Sequence, residues 1–556
     1  MLQRLEHEEF DVLVVGGGIT GVGVALDAAS RGLRTALVER DDFASGTSSK
    51  SSKLVHGGLR YLQQGEIRLV YEALRERKRV MKNAPHLVSV MPFMIPILSR
   101  PAKPTTATSS STQPQSVVNR KIARALGSAM WLYDLTGGWR IGKLHRRLRT
   151  REALAHMPTM SPERVLAAYL YFDAAVDDAR LVLTVARTAA ANGAAITNGC
   201  AVVGFTRDAH GIVDGVIAAA DGRQFGVRAR VVVNASGVWS DEVRGLDEGT
   251  DPDTIRAAKG VHVTVAWHKV RNDIAVVIPV PKDKRSLFVV PWGDNGDGTF
   301  RHTYIGTTDT DYTGPLDDPQ CTADDIAYML RALNASVTTG VSVDDVTGAW
   351  AGLRPLVKSE ASGRTADLSR RHSITRNDHG VITVTGGKLT TYRQMAEDTV
   401  DQVMISLGRR ARCRTRRLRL IGTTTDRPVS DPDLMTRYGA LSLEVMEPVA
   451  DDPSLLEPLV PGLGYVRAEA VYAVRHEMAR SLDDVLSRRT RARLLDRQAT
   501  VASARSVADL IAPHLGWDAA EIDRQVQSFT SACAHEAAAG EVTEAELIAV
   551  YRGAPS

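Results

Sequence analysis

The stretch DVLVVGGGITGVGVALDAASRGLRTALVER (11–40) decides the fold. Asp11 to Val15 is a short β-branched run, Gly16, Gly18 and Gly21 follow in G-x-G-x-x-G spacing, and Val22 to Ser30 is an Ala-rich helical stretch. The order is strand, glycine turn, helix, with Ile19 and Thr20 inside the turn. Glycines permit the tight turn and let backbone N–H groups approach a pyrophosphate at the helix N-terminus, where the dipole favours negative charge. A second run, Thr35 to Val38, ends in Glu39, the distance onward at which an acid meets the ribose hydroxyls of an adenosine, with Arg40 beside it. Glycine spacing alone also fits a plain turn, but strand, helix and acid together predict nucleotide binding.

Two later segments favour FAD over NAD, although both carry the same ADP moiety. Arg230 to Asp241, RVVVNASGVWSD, is a strand entering an Ala235-Ser236-Gly237 turn followed by Trp239, a second dinucleotide-contacting turn. Val381 to Arg393, VITVTGGKLTTYR, is a strand, a Gly386-Gly387 turn and a helix start that would face the flavin's pyrimidine edge. Lys388 would supply positive charge there, with Leu389 and Thr390 alongside. Shortly after the first fingerprint, TSSKSSKLVHGGLRYLQQGE (47–66) sets hydroxyls, lysines, a histidine, paired glycines and an Arg-Tyr pair together. From it Thr47, Ser48, Ser49, Lys50, Ser52, Lys53, Leu54, His56, Gly57 and Gly58 are candidate flavin contacts.

At 556 residues the chain exceeds what one hydrophobic core serves, so two or three domains are expected. Charged residues at 24% and hydrophobic ones at 44% are ordinary for a globular protein and stand against extensive disorder. The four cysteines, Cys200, Cys321, Cys413 and Cys533, lie far apart with no CxxC pair, so neither a metal site nor a disulfide framework is expected. A reducing cytoplasm fits. The opening MLQRLEHEEF is acidic and has no signal-peptide pattern, and no apolar run reaches the roughly eighteen residues of a spanning helix.

Taken together, GGGITG (16–21), TSSKSSKLVHGGLRYL (47–62), IGTTDTDY (305–312), AGLRPL (351–356) and GGKLTTYR (386–393) resemble the FAD-dependent glycerol-3-phosphate dehydrogenases. YAVRHEMARSLDDVLSRRTR (472–491) is similar to the helical C-terminal domain of that family. The resemblance implies FAD as cofactor and oxidation of sn-glycerol 3-phosphate to dihydroxyacetone phosphate. It also implies quinone as acceptor, and a cytoplasmic enzyme held peripherally on the inner face of the cell membrane. A homodimer is compatible with it. A glycerol phosphate oxidase shares these motifs and differs in its acceptor, oxygen. A non-catalytic flavoprotein redox sensor is the reading from another class.

Arginines suit a phosphate because they present paired planar donors, which makes Arg60, Arg354 and Arg370 the clamp candidates. By analogy with the family, Arg60 and Tyr61 lie over the flavin, Arg354 stands near its ring, and Thr391 is a further substrate contact. Oxidation at carbon 2 also needs a base with a pKa near neutrality. His56 in LVHGG and His262 in KGVHVTV are the plausible bases, with Lys388 a third candidate if its pKa is depressed. Either histidine standing alone also fits a hydrogen-bonded core residue. Asp309 in IGTTDTDY reads as an organiser of neighbouring basic groups.

The expected class is α/β: a discontinuous two-dinucleotide-type, Rossmann-like FAD domain (10–90, 170–258, 345–400), an α+β substrate domain (91–169, 259–344), and an all-α C-terminal domain (409–556). HVTVAW and SLFVVPW predict an antiparallel sheet in the substrate domain. Val471, Val474, Met478, Leu482 and Val485 predict one apolar helix face. The arginine run RRARCRTRRLRL (409–420) reads as a solvated linker, with an anionic membrane or partner as rival; no nucleic-acid recognition motif accompanies it. The Pro/Ser/Thr-rich stretch 101–116 reads as a flexible loop. In the following segment Val118, Ile122, Leu126, Met130 and Tyr133 oppose Arg120, Lys121 and Arg124, a basic amphipathic helix with an interfacial Trp131 that suits an anionic membrane surface. A helix packed on the substrate domain fits the same pattern.

Overall fold

The computed structural model describes residues 1–63, 65–99, 116–281, 283, 285–358, 372–424, 426 and 429–553. Arg370 and the loop 101–115 lie outside the described residues, as do the side chains of Arg60, Val118, Arg120, Lys121, Ile122 and Arg124.

Three sheets organise the described residues. Strands Val12–Val15, Thr35–Val38, Ala195–Thr197 and Val232–Asn234 run parallel in one six-stranded sheet. Ile382–Gly386 extends it parallel, and His372–Arg376 closes one edge antiparallel. The first two strands are buried at every position, as a sheet covered on both faces requires. The helix Ile19–Ser30 covers one face because it is small: a Cβ on Gly23 would sit 3.0 Å from the Tyr392 ring, on the helix Tyr392–Ser406 packed beside it. The carboxyl ends of these strands bring Gly16, Glu39, Cys200, Ala235 and Gly386 to one crevice, where ligands of doubly wound sheets bind. A four-stranded sheet, built from Glu9–Phe10, Arg223–Ala229, Val213–Ala220 and Ala201–Arg207, flanks that crevice.

The third sheet has ten strands and is largely antiparallel, including Ile255–Ala266 and Ser286–Asp294, which carry HVTVAW and SLFVVPW. Val346–Val357, expected with the FAD domain, instead pairs along its length with Ile255–Ala266, setting His262 opposite Trp350 and Lys259 opposite Leu353. The short strand Leu54–Val55 also joins this sheet, against Ala174 and Ala175. Leu54–Val55 and Val346–Val357 thus both pair within the large antiparallel sheet.

From Pro432 onward the described chain is mainly helical, with Arg467–His476, Arg497–Leu515 and Ala519–Ala539 around one apolar cluster. The single helix expected across 471–485 is interrupted. Met478 adopts a left-handed φ of 55°, and its carbonyl accepts from Asn198 Nδ2 at 2.9 Å, so the chain turns there to dock on the FAD domain before a π-helical turn, Asp484–Arg489. The arginine run 409–420 keeps its arginines exposed, as a solvated segment should, yet it is anchored. Arg409 pairs with Asp11, Arg416 with Glu397, Thr415 Oγ1 donates to Asp27 at 2.7 Å and Arg414 to the Ser30 carbonyl at 3.2 Å, strapping the run onto the FAD domain.

Candidate active site

A cleft of about 340 Å³ runs along the carboxyl ends of the parallel strands. It is lined by Gly16, Gly18, Ile19 and Thr20, by Glu39 and Arg40, by Thr47 and Ser48, by Ala235, Ser236, Gly237 and Trp239, and by Gly387, Lys388 and Leu389. Five sequence-separated groups of candidate cofactor residues therefore meet in one place. The backbone at its floor admits only glycine: Gly16 has φ +110°, and a Cβ there would lie 2.7 Å from the Ala235 carbonyl oxygen. Gly21 does not line the cleft. A Cβ on it would fall 1.9 Å from the Gly16 carbonyl oxygen, so it serves the close packing of helix on turn.

Glu39 ends its strand with its carboxylate accepting from the Gly17 amide at 2.6 Å and the Asp41 amide at 2.9 Å. Burial outweighs these bonds and pushes the carboxyl up to about 7. Ser48 Oγ accepts from the Ile19 amide at 2.9 Å, fastening the 47–49 turn across the helix N-terminus. At the far wall Arg40 lies 5.2 Å from the Trp239 ring centre, and both donate to Asp317, at 2.6 and 2.9 Å. Cys200, Val202, Val243 and Leu246 add an apolar slot beside them. A polar stretch at a helix N-terminus, an acid on a strand end and an apolar slot match the pyrophosphate, ribose and ring of an adenine dinucleotide.

Other candidates lie around or behind the cleft. Ser49 and Lys50 line a separate polar cavity of about 300 Å³ together with Arg488, Arg491 and Arg493. Lys53 is buried, its ammonium 2.9 Å from Asp178 and 3.1 Å from the Ser49 carbonyl; burial, then the charge of Arg491, brings it down to about 8. Leu54 is committed to the large sheet. Ser52 Oγ is 2.9 Å from His262 Nε2. Thr391 is buried, its hydroxyl donating to the Lys388 carbonyl at 3.3 Å, so it shapes the turn from within.

At the other end of the cleft Pro355 and Lys388 adjoin a second cluster. Arg354 donates to Thr307 Oγ1 at 3.1 Å, the Thr308 carbonyl at 3.2 Å and Asp309 Oδ1 at 3.3 Å. A Cβ on Gly260 would lie 2.4 Å from that guanidinium. Asp309 also accepts from Arg285 through its carbonyl at 3.0 Å, so it does contact two basic groups. His262 is buried and stacked on Trp350, with ring centres 4.8 Å apart. Burial, then the charges of Lys53 and Arg354, holds its imidazole well below the ordinary range. His56 is half-buried; its amide donates to Thr390 Oγ1 at 3.1 Å, and its ring meets Phe288 edge-on. Lys388 places its ammonium 3.7 Å from the centre of the Tyr61 ring.

Several lining residues were not anticipated: Asp41, Ser45, Gly46, Cys200, Val202, Val238, Glu242, Val243, Leu246 and Pro355. Cys200 follows the strand Ala195–Thr197, so the rule that ligands collect at parallel-strand carboxyl ends would have found it. Val202 and Leu246 come from a neighbouring sheet and helix and leave no local trace.

Known proteins give the same reading. Residues 11–393 match the FAD dependent oxidoreductase family, and residues 413–522 match the C-terminal domain of alpha-glycerophosphate oxidase. The chain is 40% identical over 546 residues to glycerol-3-phosphate dehydrogenase 2 of Mycobacterium bovis, covering 95% of this chain and 88% of the relative. It is 38% identical over 548 residues to glycerol-3-phosphate dehydrogenase of Mycobacterium leprae, covering 95% and 89%. The crystal structure of the glycerol-3-phosphate dehydrogenase from Bacillus halodurans complexed with FAD superposes with a TM-score of 0.75 at 29% identity, covering 95% of each chain. The alpha-glycerophosphate oxidase of Mycoplasma pneumoniae, at 17% identity and a TM-score of 0.54 over 73% of this chain and 97% of its own, shares the fold. By these matches, and by the cleft that its separated glycine turns assemble, the chain belongs to the FAD-dependent glycerol-3-phosphate dehydrogenase family.

Proposed function

We propose that this protein oxidises sn-glycerol 3-phosphate at carbon 2 to dihydroxyacetone phosphate and passes the electrons to a membrane quinone. The observation that carries the reading is the fixed Arg354 guanidinium, held by Thr307, Thr308 and Asp309 where the cleft ends at Pro355 and Lys388. A planar donor held by neutral and acidic partners is suited to a phosphate dianion, and Arg60 lies on the nearby helix Leu59–Gln63. FAD, when bound, supplies the acceptor for the hydride of carbon 2. The hydroxyl proton is assigned to His56. His262 is the weaker base, because its Nε2 faces Ser52 and its imidazole is held far below neutrality. Lys388, at the end of the cleft, would supply positive charge to a bound flavin.

Quinone as acceptor requires a membrane surface. Among the described residues no helix is long and apolar enough to cross a membrane. The helix Ser116–Thr136 buries Met130 and Tyr133 against the substrate sheet, yet Trp131 is 58% and Leu135 74% exposed on its outer side, and Trp139 just beyond is 54% exposed. Lys78 and Arg140 flank Trp139 at 5.6 and 5.4 Å. Exposed tryptophans, one of them flanked by two cations, suit the interface of an anionic bilayer, and this supports peripheral attachment.

Anaerobic mixing with sn-glycerol 3-phosphate tests the reading. Loss of the flavin's visible absorbance, restored by a soluble quinone, is expected. A flavin that stays oxidised removes the substrate, and peroxide release matching turnover in air replaces the quinone with oxygen.

A further inference from the structure

The turn His56-Gly57-Gly58 is gripped from both sides. On one side the His56 amide donates to Thr390 Oγ1 at 3.1 Å, next to the Gly387-Lys388 turn of the cleft. On the other the Gly57 amide lies 3.2 Å from Tyr133 Oη and 3.2 Å from Asp173 Oδ1. Tyr133 Oη is itself 2.8 and 2.7 Å from the two carboxylate oxygens of Asp173, and Arg77 pairs with that carboxylate while donating to the Phe172 carbonyl at 3.0 Å. All three side chains are buried, with Tyr133 1%, Asp173 2% and Arg77 0% exposed. The network is therefore shielded from solvent and charge-compensated. It also leaves the turn no room: a Cβ on Gly57 would lie 2.6 Å from Tyr133 Oη and 2.5 Å from Leu74 Cδ2.

The constraint continues toward the cleft. Gly58 has φ +75°, and a Cβ there would stand 2.4 Å from the Tyr61 ring, so the turn's conformation fixes where that ring lies. Tyr61 in turn faces the Lys388 ammonium at 3.7 Å, and Lys388 lines the cleft. From this continuous path we infer that Tyr133 and Asp173 are positioning residues, which hold the His56–Gly58 turn and through it Tyr61 and Lys388 at the flavin end of the cleft. The inference rests on the reading of that end as the place where substrate is oxidised. Neither residue reaches the cleft; each acts through the Gly57 amide.

Tyr133→Phe removes one hydroxyl and keeps the ring, and Asp173→Asn keeps an acceptor oxygen while removing the charge. Tyr472→Phe is the control, since its hydroxyl is also buried, donating to Glu444 at 3.0 Å, but in the helical C-terminal domain. The holoenzymes are compared by melting temperature, by the visible spectrum of the resting flavin and by the rate of anaerobic flavin reduction at saturating sn-glycerol 3-phosphate. Tyr133→Phe is expected to alter the resting spectrum and slow reduction about tenfold, as sub-ångström misplacement of reacting groups does, while melting falls no further than in Tyr472→Phe. A Tyr133→Phe holoenzyme with wild-type spectrum and reduction rate, whatever its melting temperature, overturns the inference. Should Tyr133→Phe fail to fold, Asp173→Asn is judged by the same spectrum and rate. If the wild-type flavin is not reduced by this substrate at all, the proposed function falls, and the resting spectrum still decides the positioning role.

Discussion

Replacing Arg489 by Ala should weaken the protein by about 2–4 kcal/mol at neutral pH and loosen its hold on FAD. Arg489 is fully buried and gives Asp42 two hydrogen bonds, at 2.6 and 2.8 Å, while Arg488 and Asn198 contribute one each, at 2.6 and 2.9 Å. Burial alone would raise the Asp42 carboxyl. Arg489 first, then Arg488, more than offset this and hold it at about 2 against an ordinary 3.8, a difference worth about 2–3 kcal/mol. Breaking a buried ion pair from one side typically costs about 3–5 kcal/mol, and Arg488 and Asn198 remain to soften the loss, which gives the stated range. Because the native carboxyl is depressed, its contribution is present above pH about 4 and is lost only as pH falls toward 2. In the variant the same carboxyl is under-compensated and takes up a proton at higher pH, which relieves the damage. Denaturant melts followed by flavin fluorescence should therefore show a gap between wild type and variant that is wide at pH 7 and narrower at pH 5. A gap below about 0.5 kcal/mol at pH 7, or one that widens on acidification, would refute the electrostatic account.

Other expectations concern the cleft and the outer surface. Glu39, with its carboxyl pushed up to about 7, is better stabilised in its ionised form by ribose hydroxyl donors, so FAD binding should release a proton. Affinity for FAD should then rise with pH up to about 7 and level off, and titration of Glu39→Gln apoprotein should lose that slope. Arg354→Lys keeps the charge but not the paired donors, so KM for sn-glycerol 3-phosphate should rise by about ten-fold or more with the flavin spectrum unchanged; equal KM values would remove Arg354 from the site. Trp131→Ser with Leu135→Ser should reduce flotation with anionic vesicles while leaving the melting temperature within error, and undiminished flotation would place the docking surface elsewhere.

The sequence foretold the parts of the site that are local in the chain. Strand, Gly16 turn and Glu39 lie within one contiguous stretch, and the Ala235-Ser236-Gly237 and Gly387-Lys388 turns each follow their own strand, so each could be read alone. Other features were not legible because the deciding partner is far away in the chain. Ser49 to Leu54 read as cofactor contacts because they continue Thr47 and Ser48; that Lys53 pairs with Asp178, 125 positions along the chain, left no local trace. The arginine run read as a solvated linker and its arginines are exposed, but its anchoring could not be read, because Asp11, Asp27 and Glu397, the partners of Arg409, Thr415 and Arg416, are nowhere near it in sequence. Periodicity across 471–485 was real as an apolar pattern, yet it could not show the left-handed Met478 that divides it.

The arginines of 488–491 also bear on the order in which the protein is made. A chain emerging from the ribosome presents its glycine turns and Glu39 first, and domains tend to fold as they appear. Yet Asp42, Asp177 and Asp178, just behind those turns, find their guanidinium partners Arg489 and Arg491 only after more than four hundred further residues for Asp42. Until then three carboxylates beneath the nascent crevice lack these counter-charges and keep their water. The crevice in its mature form is thus a late product of synthesis, completed by the helical domain far downstream rather than by the segment that carries the fingerprint.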